Sequence, residues 1–188
     1  MVGNAAHLQK VLDACQKKCP NARIIVAGSC AVYGNSKSLP IKESKQMAPI
    51  NEYGKSMQMR ADVISSFRRI GMDVVEARLF NVIGPKISKK MFIGSVLSQI
   101  ANAKKEGKKC ELKTGPLESS RDFTDVRDVA SAFLAIAQKG KKDAGVYNVC
   151  SGKSIKMDEL LRKIILASGI EVSDTSLRRA PLPSCLRL

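Results

Sequence analysis

The chain of 188 residues has no tryptophan, three tyrosines, five phenylalanines and a single histidine. So few aromatic faces leave no stacking platform for single-stranded nucleic acid. None of the six cysteines stands in a Cys-x-x-Cys pair, and one histidine cannot complete a zinc site around isolated thiols. That histidine, His7, falls on a predicted surface helix, so Ser-His-Asp and Cys-His mechanisms have no convincing base. No apolar run approaches the roughly 18 residues that a membrane helix requires. The opening residues MVGNAAHLQK lack the apolar core of a secretory leader, so a cytoplasmic protein without a disulfide framework is expected.

Acidic residues are also scarce, 17 against 32 Lys and Arg, for a formal charge of +15. The excess is diffuse, +9 over residues 1–103 and +6 over 104–188, so it is not a basic tail. Its densest run, Lys104 to Lys109, reads as a solvated helix end. With no nucleic-acid motif beside it, the charge fits an anionic small ligand better than nucleic acid, and no membrane partner is expected. At 44% hydrophobic residues the chain has enough apolar mass for a buried core.

What is present is an alternation of strand and helix patterns. Asn4 is placed to cap a helix whose apolar stripe is Leu8, Val11, Leu12 and Cys15. Arg23 to Ala27 is a short buried strand, residues 35–51 a loop, 53–70 a helix, and Asp73 to Phe80 a second strand. A helix over about 92–105 leads to a strand at Cys110 to Thr114, then a helix from Asp125 to Gln138 and a strand from Gly145 to Val149. Met157 to Ser168 is an amphipathic helix stopped by Gly169. This order predicts an α/β fold with parallel strands. Cys30 and Cys150 read as small buried fillers, and Tyr33 and Phe80 as packing residues.

Two segments carry chemistry: Gly28-Ser29-Cys30-Ala31-Val32-Tyr33-Gly34 directly after a strand, and Asn51-Glu52-Tyr53-Gly54-Lys55-Ser56-Met57 opening a helix. In α/β proteins the carboxyl ends of strands face the ligand crevice. Together with Arg78-Leu79-Phe80-Asn81-Val82-Ile83-Gly84-Pro85, Arg121-Asp122-Phe123-Thr124-Asp125 and Gly145 to Gly152, they resemble the extended short-chain dehydrogenase/reductase family, that is, the NAD-dependent epimerases, dehydratases and reductases of nucleotide sugars. Within it the run Thr114 to Phe123 looks most like the GDP-4-dehydro-6-deoxy-D-mannose reductases, relatives of the GDP-mannose 4,6-dehydratases. The dehydratases carry a Glu where this chain has Ala31, which favours a reductase or epimerase.

The resemblance implies a partial Rossmann-like fold, a doubly wound parallel sheet, joined to a C-terminal substrate-binding α/β portion. Residues 1–85 would be the later part of the NAD(P)-binding domain and 86–188 mostly the substrate-binding portion, with segments over about 120–150 returning to the sheet. It implies Ser29 and Tyr53 as catalytic residues, Tyr53 and Val82 beside an NAD or NADP cofactor, and Asn81, Arg121 and Arg179 on a nucleotide-diphosphate sugar. The family's Tyr-x-x-x-Lys lysine lowers the phenol pKa from one helical turn away. Here that position is Met57, and Lys55, two residues on, points to another face. None of the 13 glycines forms the Gly-rich phosphate turn of a dinucleotide fold. The chain therefore reads as the middle and C-terminal part of a larger enzyme, weak or inactive alone. The alternative is a non-catalytic remnant that binds a nucleotide sugar. A strand that lost its sheet neighbour would recruit a second copy or a complementary chain.

Overall fold

The computed structural model describes residues 2–36, 38–141 and 144–172. Arg179 and the whole segment from 173 on lie outside them. The first sheet is parallel, in the order β1 (Ile24–Ser29), β2 (Val74–Leu79), β5 (Val146–Val149). The helices α1 (Val2–Lys18) and α2 (Glu52–Arg69) cover one face, and α4 (Val126–Lys139) covers the other. The strand period of two sorts the residues. Val74 packs with Leu12, Ile64 and Phe67 on the α1/α2 side, while Val75 and Ala77 pack with Val129 and Ile136 on the α4 side. This two-sided burial is what a near-continuous apolar parallel strand requires, and the α/β, doubly wound expectation is met.

Three local readings are corrected. Helix α1 already runs from Val2, so residue 4 lies within the helix instead of capping it. The stretch Cys110 to Thr114 is no strand of a sheet. It holds a single parallel bridge, Cys110 to Val172, and Gln99 takes the place of a neighbouring strand at Lys113. Cys150 is exposed, not a buried filler, because it sits just past the end of β5.

A second, smaller sheet was not foreseen. It orders β3 (Asn81–Ile83), β4 (Ser120–Asp125) and β6 (Ser154–Lys156), with β3 parallel and β6 antiparallel to β4. These strands are three to six residues long, and β4 reads Ser-Arg-Asp-Phe-Thr-Asp, so no apolar alternation announces them. Helices α3 (Phe92–Glu106) and α5 (Met157–Ser168) pack beside this sheet around Val96, Ile100, Leu112 and Leu161. The chain leaves the first sheet at Phe80, whose N–H donates to the Val149 carbonyl at 3.2 Å, and enters the second at Asn81. No described helix is long and apolar enough to cross a membrane.

Beneath α2 lies a buried polar network. Glu76 and Arg78, two residues apart on β2 and thus on one face, pair at 2.9 Å with almost no exposure. Arg78 Nη1 also donates to the Tyr33 hydroxyl at 2.9 Å, and that hydroxyl donates to Asn148 Oδ1 at 2.8 Å. The guanidinium lies 4.9 Å from the Tyr33 ring centroid. Gly28 leaves the room for Glu76: a Cβ there would lie 2.9 Å from Glu76 Cδ and overlap its Oε1. Because Arg78 pins that carboxylate, it cannot swing aside. Gly28→Ala is expected to cost about 1–3 kcal/mol, the range for overpacking, and to lower the melting temperature followed by circular dichroism. An unchanged melt would show that the carboxylate moves freely.

Candidate active site

Ser29 ends β1 and caps the 3-10 turn Cys30–Tyr33, its Oγ accepting from the Ala31 N–H at 3.2 Å. The side chain is buried. Tyr53 is the second residue of α2, whose start is set by the Asn51 side chain accepting from the Gly54 N–H at 2.7 Å. At Gly54 the helix comes so close to the turn that a Cβ would lie 2.7 Å from the Ala31 carbonyl oxygen. This contact sets the Tyr53 end of α2 against the turn that Ser29 caps. Tyr53 itself is about half exposed at 49%, and no hydrogen bond joins it to Ser29.

Met57 stands one turn after Tyr53 but is buried, packed against Val32 and Tyr33. It belongs to the hydrophobic floor under the turn. Lys55 is exposed and paired with Glu52 at 2.9 Å.

Asn81, Val82 and Arg121 share a cleft of about 270 Å³ beside the second sheet. Asn81 Nδ2 donates to the Asp122 carbonyl at 2.8 Å, which locks β3 to β4. Ser29 and Tyr53 do not line this cleft. Two features connect the regions. Ser29 is in register with Leu79, two residues before Asn81. The Arg121 charge also reaches Cys30: burial pushes the Cys30 thiol up to about 11, and Arg121 is the largest influence opposing it. Neither neighbouring carboxylate forms an ion pair with Arg121, since Asp125 pairs with Arg127 at 2.7 Å and Asp122 accepts from Ser151 at 2.8 Å.

The cleft also holds three cations that motif reading passed over, Lys89, Lys90 and Lys113. Every charged residue lining it, among the described residues, is a cation. Their signal in the sequence is only Lys89-Lys90 after the Gly84-Pro85 turn, which looks like any solvated lysine pair. A cationic cleft beside a short polar sheet suits an anionic ligand such as a diphosphate.

Residues 1–150 match the NAD dependent epimerase/dehydratase family. The chain belongs to that family. It is thus a member of the nucleotide-sugar epimerases, dehydratases and reductases, an NAD(P)-dependent group of Rossmann-type fold. Among relatives of this epimerase/dehydratase chain, GDP-6-deoxy-D-mannose reductase of Pseudomonas aeruginosa is 34% identical over 166 residues, 86% of this chain and 54% of that protein. Probable UDP-arabinose 4-epimerase 3 of Arabidopsis thaliana is 31% identical over 85% of this chain and 43% of that protein. The solved structure of RMD from Pseudomonas aeruginosa with NADPH superposes with a TM-score of 0.83 at 32% identity, over 93% of this chain and 59% of that one. The chain thus spans about half the length of the relatives it matches.

Proposed function

We propose that this chain forms the substrate side of a nucleotide-sugar reductase acting on a GDP-4-keto-6-deoxyhexose. The observation that carries the reading is the cleft in which Asn81 and Arg121 meet three lysines and, among the described residues, no carboxylate. Arg121 and the lysines hold the diphosphate, and Val82 faces the cofactor side. Residues 1–85 supply the cofactor-side sheet and 86–188 mostly the substrate cleft, with α4 and β5 returning from the second segment. Similarity to a GDP-6-deoxy-D-mannose reductase supports the guanine nucleotide, although the UDP-arabinose epimerases are relatives of comparable identity.

The residues present do not fit a whole dinucleotide. The 13 glycines include no phosphate turn, and Met57 is packed under the Ser29 turn without a donor to offer. We therefore derive no step through NAD or NADP. The chain's own residues have roles at the sugar oxygen: the Ser29 hydroxyl turns from Ala31 to hold it, and the Tyr53 phenol exchanges its proton. Without a cation at position 57 the phenol lacks the charge that would tune it, so we expect feeble turnover or none from this chain alone.

A non-catalytic nucleotide-sugar-binding remnant is the second reading, favoured by the burial of Met57 in the apolar floor. A partner bears on both. Among the described residues β1 is hydrogen-bonded on one side only, through β2, and its six residues Ile-Ile-Val-Ala-Gly-Ser carry neither charge nor proline to guard that edge. A complementary chain or a second copy would complete the sheet there. Calorimetry with GDP, NADPH and both together tests the reading. We expect GDP to bind and NADPH not to bind. Brisk NADPH oxidation with the GDP-keto-sugar would overturn the impairment, and failure to bind any nucleoside diphosphate would overturn the function.

A further inference from the structure

We propose that Cys15 and Cys19 form a two-thiol site at the C-terminal end of α1 that takes a soft monovalent metal cation such as copper(I). The spacing i, i+4 carries both residues on one helix face. Cys19 directly follows the last residue of α1, and its N–H closes the final turn on the Cys15 carbonyl at 2.8 Å. Its own carbonyl accepts from the Ala22 N–H at 3.0 Å, across the turn Cys19-Pro20-Asn21-Ala22. Pro20 has no N–H to continue the helix and suits the second position of that turn. Backbone bonds on both sides therefore hold Cys19 in place. Cys15 is held from beneath: it is half-buried against the core that contains Leu12, Ile64 and Phe67. Cys19 is exposed, and the two thiols lie within hydrogen-bonding reach of each other.

Spacing decides what the pair can do. Residues four apart on a helix have Cβ atoms about 5–6 Å apart, whereas a disulfide needs about 3.5–4.5 Å. The pair cannot close on itself without unwinding the last turn. An ion between the sulfurs spans the wider gap, because two metal–sulfur bonds, each about 2.3 Å for zinc, replace one sulfur–sulfur bond. Thiolates select soft ions. Among the described residues no group of three or more His, Cys, Asp or Glu could hold a metal. An ion that needs four protein ligands, as structural zinc does, is not satisfied here, while copper(I) is satisfied by two sulfurs. Both thiols release their protons as the ion binds, which leaves one net negative charge. Lys17 and Lys18, exposed in the same last turn, supply positive charge nearby. Neither cysteine lines the cleft of the second sheet, so the site is independent of it.

The test uses the full chain, reduced, with copper(I) supplied in competition with a chromogenic copper(I) chelator. Wild type is expected to hold the ion tightly. Cys19→Ser should weaken that binding by about a hundredfold or more, because the second ligand of a chelate acts at high effective concentration. Cys15→Ser should cost as much and the double variant little more, since either loss already breaks the chelate. Cys150→Ser removes an exposed thiol elsewhere and should stay within about threefold of wild type. Because Cys15 packs on the core, Cys19→Ser at its exposed position carries the decision, and a metal-free melt checks that its fold is kept. A Cys19→Ser affinity within about threefold of wild type overturns the proposal. So does a Cys15–Cys19 disulfide formed by glutathione disulfide in the folded chain and read by peptide mass spectrometry, because the thiols would then approach more closely than the helix spacing permits. Neither result touches the reading of the nucleotide cleft.

Discussion

Arg78→Met is expected to lower the melting temperature by about 10 °C or more. Glu76 and Arg78 are among the most buried charged side chains of the described residues, paired at 2.9 Å. Removing one member of such a pair leaves the other ionised without compensation, a loss of about 3–5 kcal/mol. In a domain of this size each kcal/mol moves the midpoint by about 2–4 °C. The change also strips the Tyr33 hydroxyl of its donor. Burial pushes the Tyr33 phenol up, and Arg78 is the largest influence holding it down, so its loss makes Tyr33 harder still to ionise. The control is Glu76→Leu with Arg78→Met. Replacing a whole buried pair by apolar residues is often neutral or stabilising, so the double variant should recover much of the loss. Circular dichroism melts read both, and a single variant within about 2 °C of wild type would show that the pair contributes little.

Arg121→Ala is expected to weaken GDP binding by about tenfold to a hundredfold, the value of one charge-assisted bond, while the ligand-free melt stays within about 2 °C. The asymmetry follows from its surroundings. Arg121 is half-buried in the cleft, and among the described residues its guanidinium makes one hydrogen bond, a long 3.5 Å contact to the Ser120 carbonyl, and pairs with no carboxylate. Its charge contributes little to the fold and is available to an anion. Lys113→Ala should cost less, because Lys113 is exposed and screened by water. Titration calorimetry at two salt concentrations measures both, with the wild-type advantage shrinking as salt rises. An Arg121→Ala affinity within twofold of wild type would remove Arg121 from the ligand contacts.

Much of the architecture was legible because it is locally encoded. Asp125 caps α4 by accepting from the Arg127 N–H at 2.8 Å, and Gly169 ends α5 in the left-handed conformation at φ 63°. Each rests on a few adjacent residues. Ser29 and Tyr53 were singled out by the family resemblance of their segments, and the strand end and helix start on which they sit are local events. The polar strands of the second sheet were missed because pairing, not hydrophobicity, makes them strands. The lysines of the cleft were missed because Lys89 and Lys113 meet only across α3 and the extended segment after it.

By itself, then, the sequence determined the order of helices and the three parallel strands of the first sheet, the motif series that marks the epimerase/dehydratase family, and the substitution of Met57. These depend on periodicity, caps and residue identity within short windows. Tertiary structure decided the rest: that Glu76, Arg78, Tyr33 and Asn148 form one buried network, that Met57 faces the floor beneath Ser29, and that Arg121 and Lys113 share a cationic cleft. The physical reason is distance along the chain. Asn148 lies 115 residues from Tyr33, and no local preference records which burial or charge pairing will result when such residues are folded together.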